Sequence, residues 1–304
     1  MSIETQKLPI PYIKEERVIP KNESDKKCGP TILFENGSCI SLKLLIKMAI
    51  AYNKKNRENP IQLYDTLEEL SPDKYKIYLL FEFQKRFKNT HHSEWVNSKL
   101  FDNMSKEDKE YLQTSIFRPE GPQGQFQWLS TIDINKTLLQ YENKYPDFVF
   151  LGAVPIDFNE LDYYPFQKMN FHELKKDGKK RLGVIFNLDE HDKGGSHWVS
   201  LFSDLEKGQI YFSDSYGRKP EKRISNFIDR IKDYIETSNN VQLQPEFNID
   251  IRHNPTQHQR GNSECGVYSI NFILRLLKGK TFDHLIRKRL PDEKVNKCRF
   301  RYFK

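Results

Sequence analysis

The stretch TQHQRGNSECGVYSINFILRLLK, Thr256 to Lys278, decides how this chain is read. Ahead of Cys265 the residues are polar and include glycine, as a loop requires. From Val267 onward apolar side chains recur at Val267, Ile270, Ile273, Leu274 and Leu277, the period of a helix with one buried face. The pattern predicts that Cys265 sits where a loop enters a buried helix. The first N–H groups of a helix have no partner within it and its dipole places partial positive charge there, which favours a thiolate. The ordinary role of a lone cysteine opening a core helix is that of a small apolar side chain, so other residues must outweigh that reading.

They do so through a second stretch, GGSHWVSLFSDLEKGQIYFSDSYG, Gly194 to Gly217. It reads as a hairpin: His197–Phe202 as one strand, Lys207-Gly208 as the turn, Gln209–Asp214 as the return strand. Folding brings His197, at the start of one strand, beside Asp214, at the end of the other. A carboxylate can then accept from one imidazole nitrogen and leave the second for a thiol. Gln259 precedes Cys265 on the same loop, and its amide is expected to face a developing oxyanion together with a backbone N–H near Cys265.

At these residues the chain resembles the ubiquitin-like-protein proteases (deSUMOylases) and the adenovirus maturation protease. The likeness rests on His197-Trp198, the turn Asp214-Ser215-Tyr216-Gly217, and Gln259, Cys265 and Gly266, in the order His, Asp, Gln, Cys. Trp128-Leu129 resembles the motif with which that clan opens its catalytic domain. The resemblance implies an α+β, papain-like cysteine protease fold in which Trp128 and Trp198 clamp a Gly-Gly segment of the substrate. Two indoles about a narrow slot leave room for a backbone without Cβ atoms.

Composition agrees with a soluble globular protein. No apolar run approaches the roughly 18 residues of a membrane span, and the N-terminus lacks the apolar core of a signal peptide. Residence in a reducing interior is expected. The cysteines Cys28, Cys39, Cys265 and Cys298 show no zinc-binding spacing, and a disulfide framework is not expected. The net charge of +7 is carried by the C-terminal segment, where Lys278 to Lys304 hold ten Lys or Arg against three Asp or Glu. A solvated basic surface on a final helix and extension accounts for it; contact with an anionic partner, nucleic acid above all, is the alternative.

Along the chain, residues 1 to about 40 read as an extended arm. Ser41 caps a helix through about Asn53, Ser71-Pro72-Asp73 opens a second, and Ser105 with Asp108 a third, giving a helical arm domain over residues 1–115. The adjacent pair His91-His92 does not suit a metal site. Residues 116–126, rich in Pro and Gly, read as a linker to a catalytic domain over 127–304. There a helix runs to about Lys144, strands cover Asp147–Gly152 and Arg181–Leu188, Gly194-Gly195-Ser196 gives a flexible approach to His197, Glu221–Ile235 is an amphipathic helix, and Phe247–Arg252 a further strand. The segments CGPTILFENGSCISLKLLIKMAIAYN and FRPEGPQGQFQWLSTIDINKTLLQYE look like the maturation proteases of large nucleocytoplasmic DNA viruses, such as that of African swine fever virus.

The expected function is therefore that of a cysteine endopeptidase using Cys265, His197, Asp214 and Gln259, with no metal or organic cofactor. The clan resemblance implies protein substrates with Gly-Gly before the cut, and the viral likeness implies polyproteins or structural proteins of a maturing virion and residence in virion and host cytoplasm. Removal of ubiquitin or ubiquitin-like modifiers from host conjugates is an alternative, as is a nonenzymatic nucleic-acid or capsid-binding protein.

Overall fold

The computed structural model describes residues 38, 40–64, 71–87, 95, 98–112, 118–164, 166–238 and 247–303. The chain divides into two compact units, Met1–Pro119 with Lys304, and Glu120–Phe303. The arm read over residues 1–40 (positions 38 and 40 apart), the His91-His92 pair, Cys28 and Cys39 lie outside the described residues.

The first unit carries helices α1 (Leu42–Lys55), α2 (Pro72–Phe87) and α3 (Lys106–Tyr111). Serine side chains start two of them: Ser41 accepts from the Leu44 N–H and Ser105 from the Asp108 N–H, each satisfying a donor the helix cannot. Their apolar faces bury Leu45, Met48, Leu79 and Phe83 around Trp95 and Phe101. Lys47 of α1 pairs with Asp108 of α3 at 2.6 Å.

The second unit is α+β. In order it holds α4 (Thr131–Lys144), β1 (Phe148–Pro155), α5 (Phe171–Lys176), β2 (Arg181–Asn187), β3 (Trp198–Asp204), β4 (Gln209–Ser213), α6 (Lys222–Ser238), β5 (Asp250–His253), α7 (Cys265–Leu277), α8 (Phe282–Ile286), α9 (Asp292–Asn296) and α10 (Arg299–Tyr302). The five strands lie in chain order in one sheet. The central pairs β2–β3 and β3–β4 are antiparallel, while the outer pairs β1–β2 and β4–β5 are parallel. Ser130 and Asp133 close a reciprocal capping box on α4, which fixes where the chain turns out of the Trp128-Leu129 segment.

Side chains alternate across the sheet as the strand period demands. From β3, Trp198 and Phe202 face a core shared with α4 and α7, while Val199 and Leu201 face one shared with α6. Helix α7 is buried on almost every side, with Val267, Ile270, Ile273 and Leu274 in the first core. Burial of each such side chain contributes about 1.5–3 kcal/mol, so the helix that starts at Cys265 is held rigidly on the sheet. The Ser269 hydroxyl donates to the Trp198 carbonyl at 3.2 Å, tying α7 to the strand that follows His197.

Three sequence expectations shift. Strand β5 covers Asp250–His253 instead of Phe247–Arg252, because only those residues find ladder partners, Gln209 to Phe212 of β4; Phe247 packs against the α6-side core without joining the ladder. The approach to His197 is pinned, since Asn187 Oδ1 accepts from the Asp189 and Ser196 N–H groups at 3.0 and 3.2 Å. The basic C-terminal segment is three short helices, not one helix and an extension, and it is only partly solvated: Arg299 and Phe303 are buried there.

Candidate active site

Register builds the first half of the site. The β3–β4 ladder ends at the pair Ser200 and Ser213, so His197, just ahead of β3, and Asp214, just after β4, emerge from the same end of the sheet. His197 Nε2 lies 2.7 Å from Asp214 Oδ1, both side chains nearly closed to solvent. With Nε2 on Asp214, the second ring nitrogen, Nδ1, is left over, and Cys265 lies near enough to act electrostatically on the imidazole. Burial alone would depress the imidazole, but hydrogen bonds to Asp214 and Cys265 and their negative charges outweigh it and carry the His197 pKa up to about 9. That environment favours the imidazolium form of His197.

Turn chemistry builds the second half. In Asp214-Ser215-Tyr216-Gly217 the Asp214 Oδ1 also accepts from the Tyr216 N–H at 2.8 Å, and Asn254 Nδ2 donates to the Asp214 carbonyl at 3.0 Å. Gly217 has φ of 77°, and a Cβ there would meet the Pro255 carbonyl at 2.8 Å, so only glycine closes this turn against the 254–259 loop. The loop docks on the turn by backbone bonds, the His258 and Gln259 N–H groups both donating to the Ser215 carbonyl. Gln259 is wholly buried. Its Oε1 accepts from Ser215 Oγ at 2.6 Å and its Nε2 donates to the Gly261 carbonyl at 3.0 Å, which defines the amide's orientation and leaves one N–H unassigned by these bonds.

Two residues of the turn, quoted in the sequence only as part of a motif, take roles that the sequence reading did not assign. Tyr216 stacks on His197 with ring centroids 4.8 Å apart and donates its hydroxyl to the Gly261 carbonyl at 2.9 Å, so it covers the imidazole and braces the loop leading to Cys265. Burial, then the Cys265 charge, pushes the Tyr216 phenol up. Ser215 sets the Gln259 amide. The signal for both was an aromatic and a hydroxyl side chain inside the turn that carries the acid.

The tryptophans take different places. Trp198 is 5% exposed and Trp128 46% exposed. Trp198 Nε1 donates to the Leu129 carbonyl at 2.9 Å, so its indole fixes the segment that presents Trp128. Both border one cavity of about 450 Å³, whose walls include Leu129, Asn187, Gly194 and Gly195. Gly266 lets this segment approach α7, because a Cβ at that position would lie 3.0 Å from Leu129 Cβ. Cys265 and Cys298 are free thiols, and among the described residues no group of three or more His, Cys, Asp or Glu is gathered about a point that could hold a metal.

A buried sulfur at a helix start, an imidazole beside it, a carboxylate behind the imidazole and a side-chain amide on the same loop are the parts that acyl transfer to a thiol requires. Comparison with known proteins agrees. Residues 175–304 match the Ulp1 protease family, C-terminal catalytic domain. The chain is 36% identical over 288 residues to a protein of Acanthamoeba polyphaga mimivirus named for a thiol protease, covering 91% of this chain and 93% of that one. It is 27% identical over 204 residues to a SUMO-1 cysteine protease of African swine fever virus, covering 62% of this chain and 72% of the relative. The crystal structure of an African swine fever virus protease shares the fold, with a TM-score of 0.60 at 21% identity over 94% of this chain and 97% of the other. The chain belongs to the Ulp1 protease family and is a cysteine peptidase.

Proposed function

We propose that the protein is an endopeptidase that cuts after Gly-Gly in polyproteins or structural proteins of a large DNA virus during particle maturation. Cys265 Sγ attacks the scissile carbonyl as thiolate. The tetrahedral oxyanion is held by the Gln259 N–H not bound to Gly261 and by a backbone N–H at the start of α7. His197 gives its proton to the leaving amine, Asp214 keeping the ring charged and oriented, and a thioester to Cys265 remains. Water then attacks the thioester, His197 takes its proton, and the thiolate leaves with release of the carboxylic acid product.

The observation that carries the chemistry is the placement of one buried imidazole between Asp214 and Cys265. What supports Gly-Gly is the setting of Trp128 and Trp198 on a common cavity, with Gly194 and Gly195 in its wall. The test is turnover of Gly-Gly-X peptides against peptides with alanine at either glycine. Preference of at least about tenfold for each glycine is expected, since a misplaced methyl in a close-fitting slot carries a penalty of about 1–3 kcal/mol. Equal turnover overturns the specificity while leaving the peptidase. A second reading, removal of ubiquitin-like modifiers, is favoured by the name of the African swine fever virus relative, a SUMO-1 cysteine protease. Release of modifier from isopeptide-linked conjugates faster than cleavage of Gly-Gly-X polypeptides would establish it in place of processing.

A further inference from the structure

Arg299 belongs by sequence to the basic C-terminal segment, yet none of it reaches solvent. Its donors are engaged on three sides. Nε donates to Asn296 Oδ1 at 2.8 Å, Nη1 to the Pro122 carbonyl at 3.2 Å, and Nη2 to the Ser263 carbonyl at 3.2 Å. Asn296 passes the contact on, its Nδ2 donating to Glu264 Oε1 at 3.2 Å. Glu264 is buried as well, and its carboxylate accepts from the Ser263 N–H at 3.1 Å and the Ser263 hydroxyl at 2.9 Å.

The network therefore closes on the two residues immediately before Cys265. The single Ser263 hydroxyl proton is shared between Glu264 and the Gln125 carbonyl, 3.2 Å from Oγ, so the strip from Pro122 to Gln125, which leads to Trp128, is held by the same group of side chains. A guanidinium excluded from water is tolerated only where it is hydrogen-bonded and its charge is offset. Here the offset comes from Glu264, bonded through Asn296. The same offset acts in reverse: a buried carboxylate adjoining the nucleophile opposes negative charge on sulfur, and Arg299 cancels that opposition.

We propose that Arg299 is a positioning residue for proteolysis, fixing the Ser263-Glu264 step at the start of α7 and neutralising Glu264 so that the Cys265 sulfur can hold negative charge. This rests on Cys265 being the nucleophile. The charged and titratable groups acting on Arg299 are Glu264, Cys265 and Asp133, and burial, the largest influence, pulls its own pKa down. Those facing Cys265 are His197, Tyr216 and Arg299, with Glu264 next in the chain. The network thus adds a cation to the sulfur's surroundings that the imidazole does not supply.

The experiment follows iodoacetamide alkylation of Cys265 against pH, by mass spectrometry of its peptide in the full chain, alongside kcat and KM on a cleaved peptide. Arg299→Gln should raise the alkylation midpoint by about one pH unit, within the span that a nearby charge imposes. It should lower kcat by about 10-fold or more with KM within about threefold, the pattern of a group acting on the reacting atom and not on substrate affinity. Arg299→Lys should return the midpoint toward that of the unaltered protein. Glu264→Gln should shift it the opposite way, and the double variant should fall between. A folded Arg299→Gln protein with an unmoved midpoint, losing activity only in proportion to folded protein, overturns the proposal. Where Arg299→Gln does not fold, Glu264→Gln decides: an acid shift supports the role and an unmoved midpoint ends it. His197→Ala is the control on the underlying reading. If it leaves Cys265 alkylation unchanged the nucleophile assignment fails, whereas an effect there with none at residues 299 and 264 defeats this proposal alone.

Discussion

The two halves of the site are held in different ways. His197 and Asp214 are placed by backbone, at the same end of a hairpin whose ladder runs from Ser200–Ser213 to Asp204–Gln209. Gln259 and Cys265 lie on a loop that has backbone bonds to the Ser215 carbonyl but otherwise depends on side chains, through Ser215, Tyr216, Glu264, Asn296 and Arg299. A ladder tolerates loss of one side chain because its hydrogen bonds belong to every residue alike. A side-chain network does not, since each member leaves a buried partner unsatisfied. Substitutions in the first half should therefore act on the chemistry without disturbing the fold, whereas in the second those at the supporting side chains should alter geometry and chemistry together.

The sharpest break is Cys265→Ala, expected to remove peptide cleavage to the limit of detection while the thermal midpoint stays within a few degrees. One small side chain replaces another at the start of a helix whose stability lies in Val267, Ile270 and Ile273. Residual turnover above background would end the assignment. Asp214→Asn comes next, with a loss of about 10²–10⁴ in kcat. It also has a signature in pH. The folded pKa of His197 is raised to about 9, so the stabilisation it contributes is fully present below the ordinary histidine value and disappears as pH rises through about 9. The alkaline limb of kcat/KM should fall there too, because deprotonated His197 has no proton for the leaving amine. Without the Asp214 charge, burial dominates, and that limb should move to lower pH; a limb that stays in place would show that His197 is not the titrating group.

The same contrast governs what could be read in the chain before folding. Period and turn chemistry gave away α7, the β3–β4 hairpin and the serines that start α1 and α3, because each depends on residues near one another in sequence. The parallel pairings of β1 with β2 and of β4 with β5 join residues far apart, and no local pattern announces them. Helices α8, α9 and α10 are of five, five and four residues, too short to show a period. Arg299 was counted among surface charges for the same reason: its partners Pro122 and Ser263 lie 177 and 36 positions away. Gln259 was visible by its place on the loop, but the Ser215 hydroxyl that orients it was not.

Ser215→Ala tests that last point. It removes the donor to Gln259 Oε1 and leaves the bond from Nε2 to the Gly261 carbonyl, so the amide is loosened and not lost. Activity should fall by about tenfold, less than the loss of about 10²–10³ that the oxyanion role proposed for Gln259 predicts for Gln259→Ala. Equal losses would mean that Ser215 does more than hold the amide; no loss would mean that Gly261 suffices.

The smallest effect separates anchoring from contact in the tryptophans. Trp198→Phe keeps an aromatic ring in the core but removes the indole N–H from the Leu129 carbonyl, leaving a buried acceptor unpaired at a cost of about 1–3 kcal/mol. If Trp198 serves mainly to fix the Trp128-Leu129 segment, KM for Gly-Gly peptides should rise a few-fold, together with the drop in stability, while alkylation of Cys265 by a small reagent stays constant. Trp128→Phe should raise KM without the stability change, because that ring is nearly half exposed and its main-chain neighbours are bound by the capping box at Ser130 and Asp133. The opposite allocation, stability lost at Trp128 and retained at Trp198, would reverse the roles of the two rings, since only a side chain with a buried donor can transmit its loss to the segment it holds.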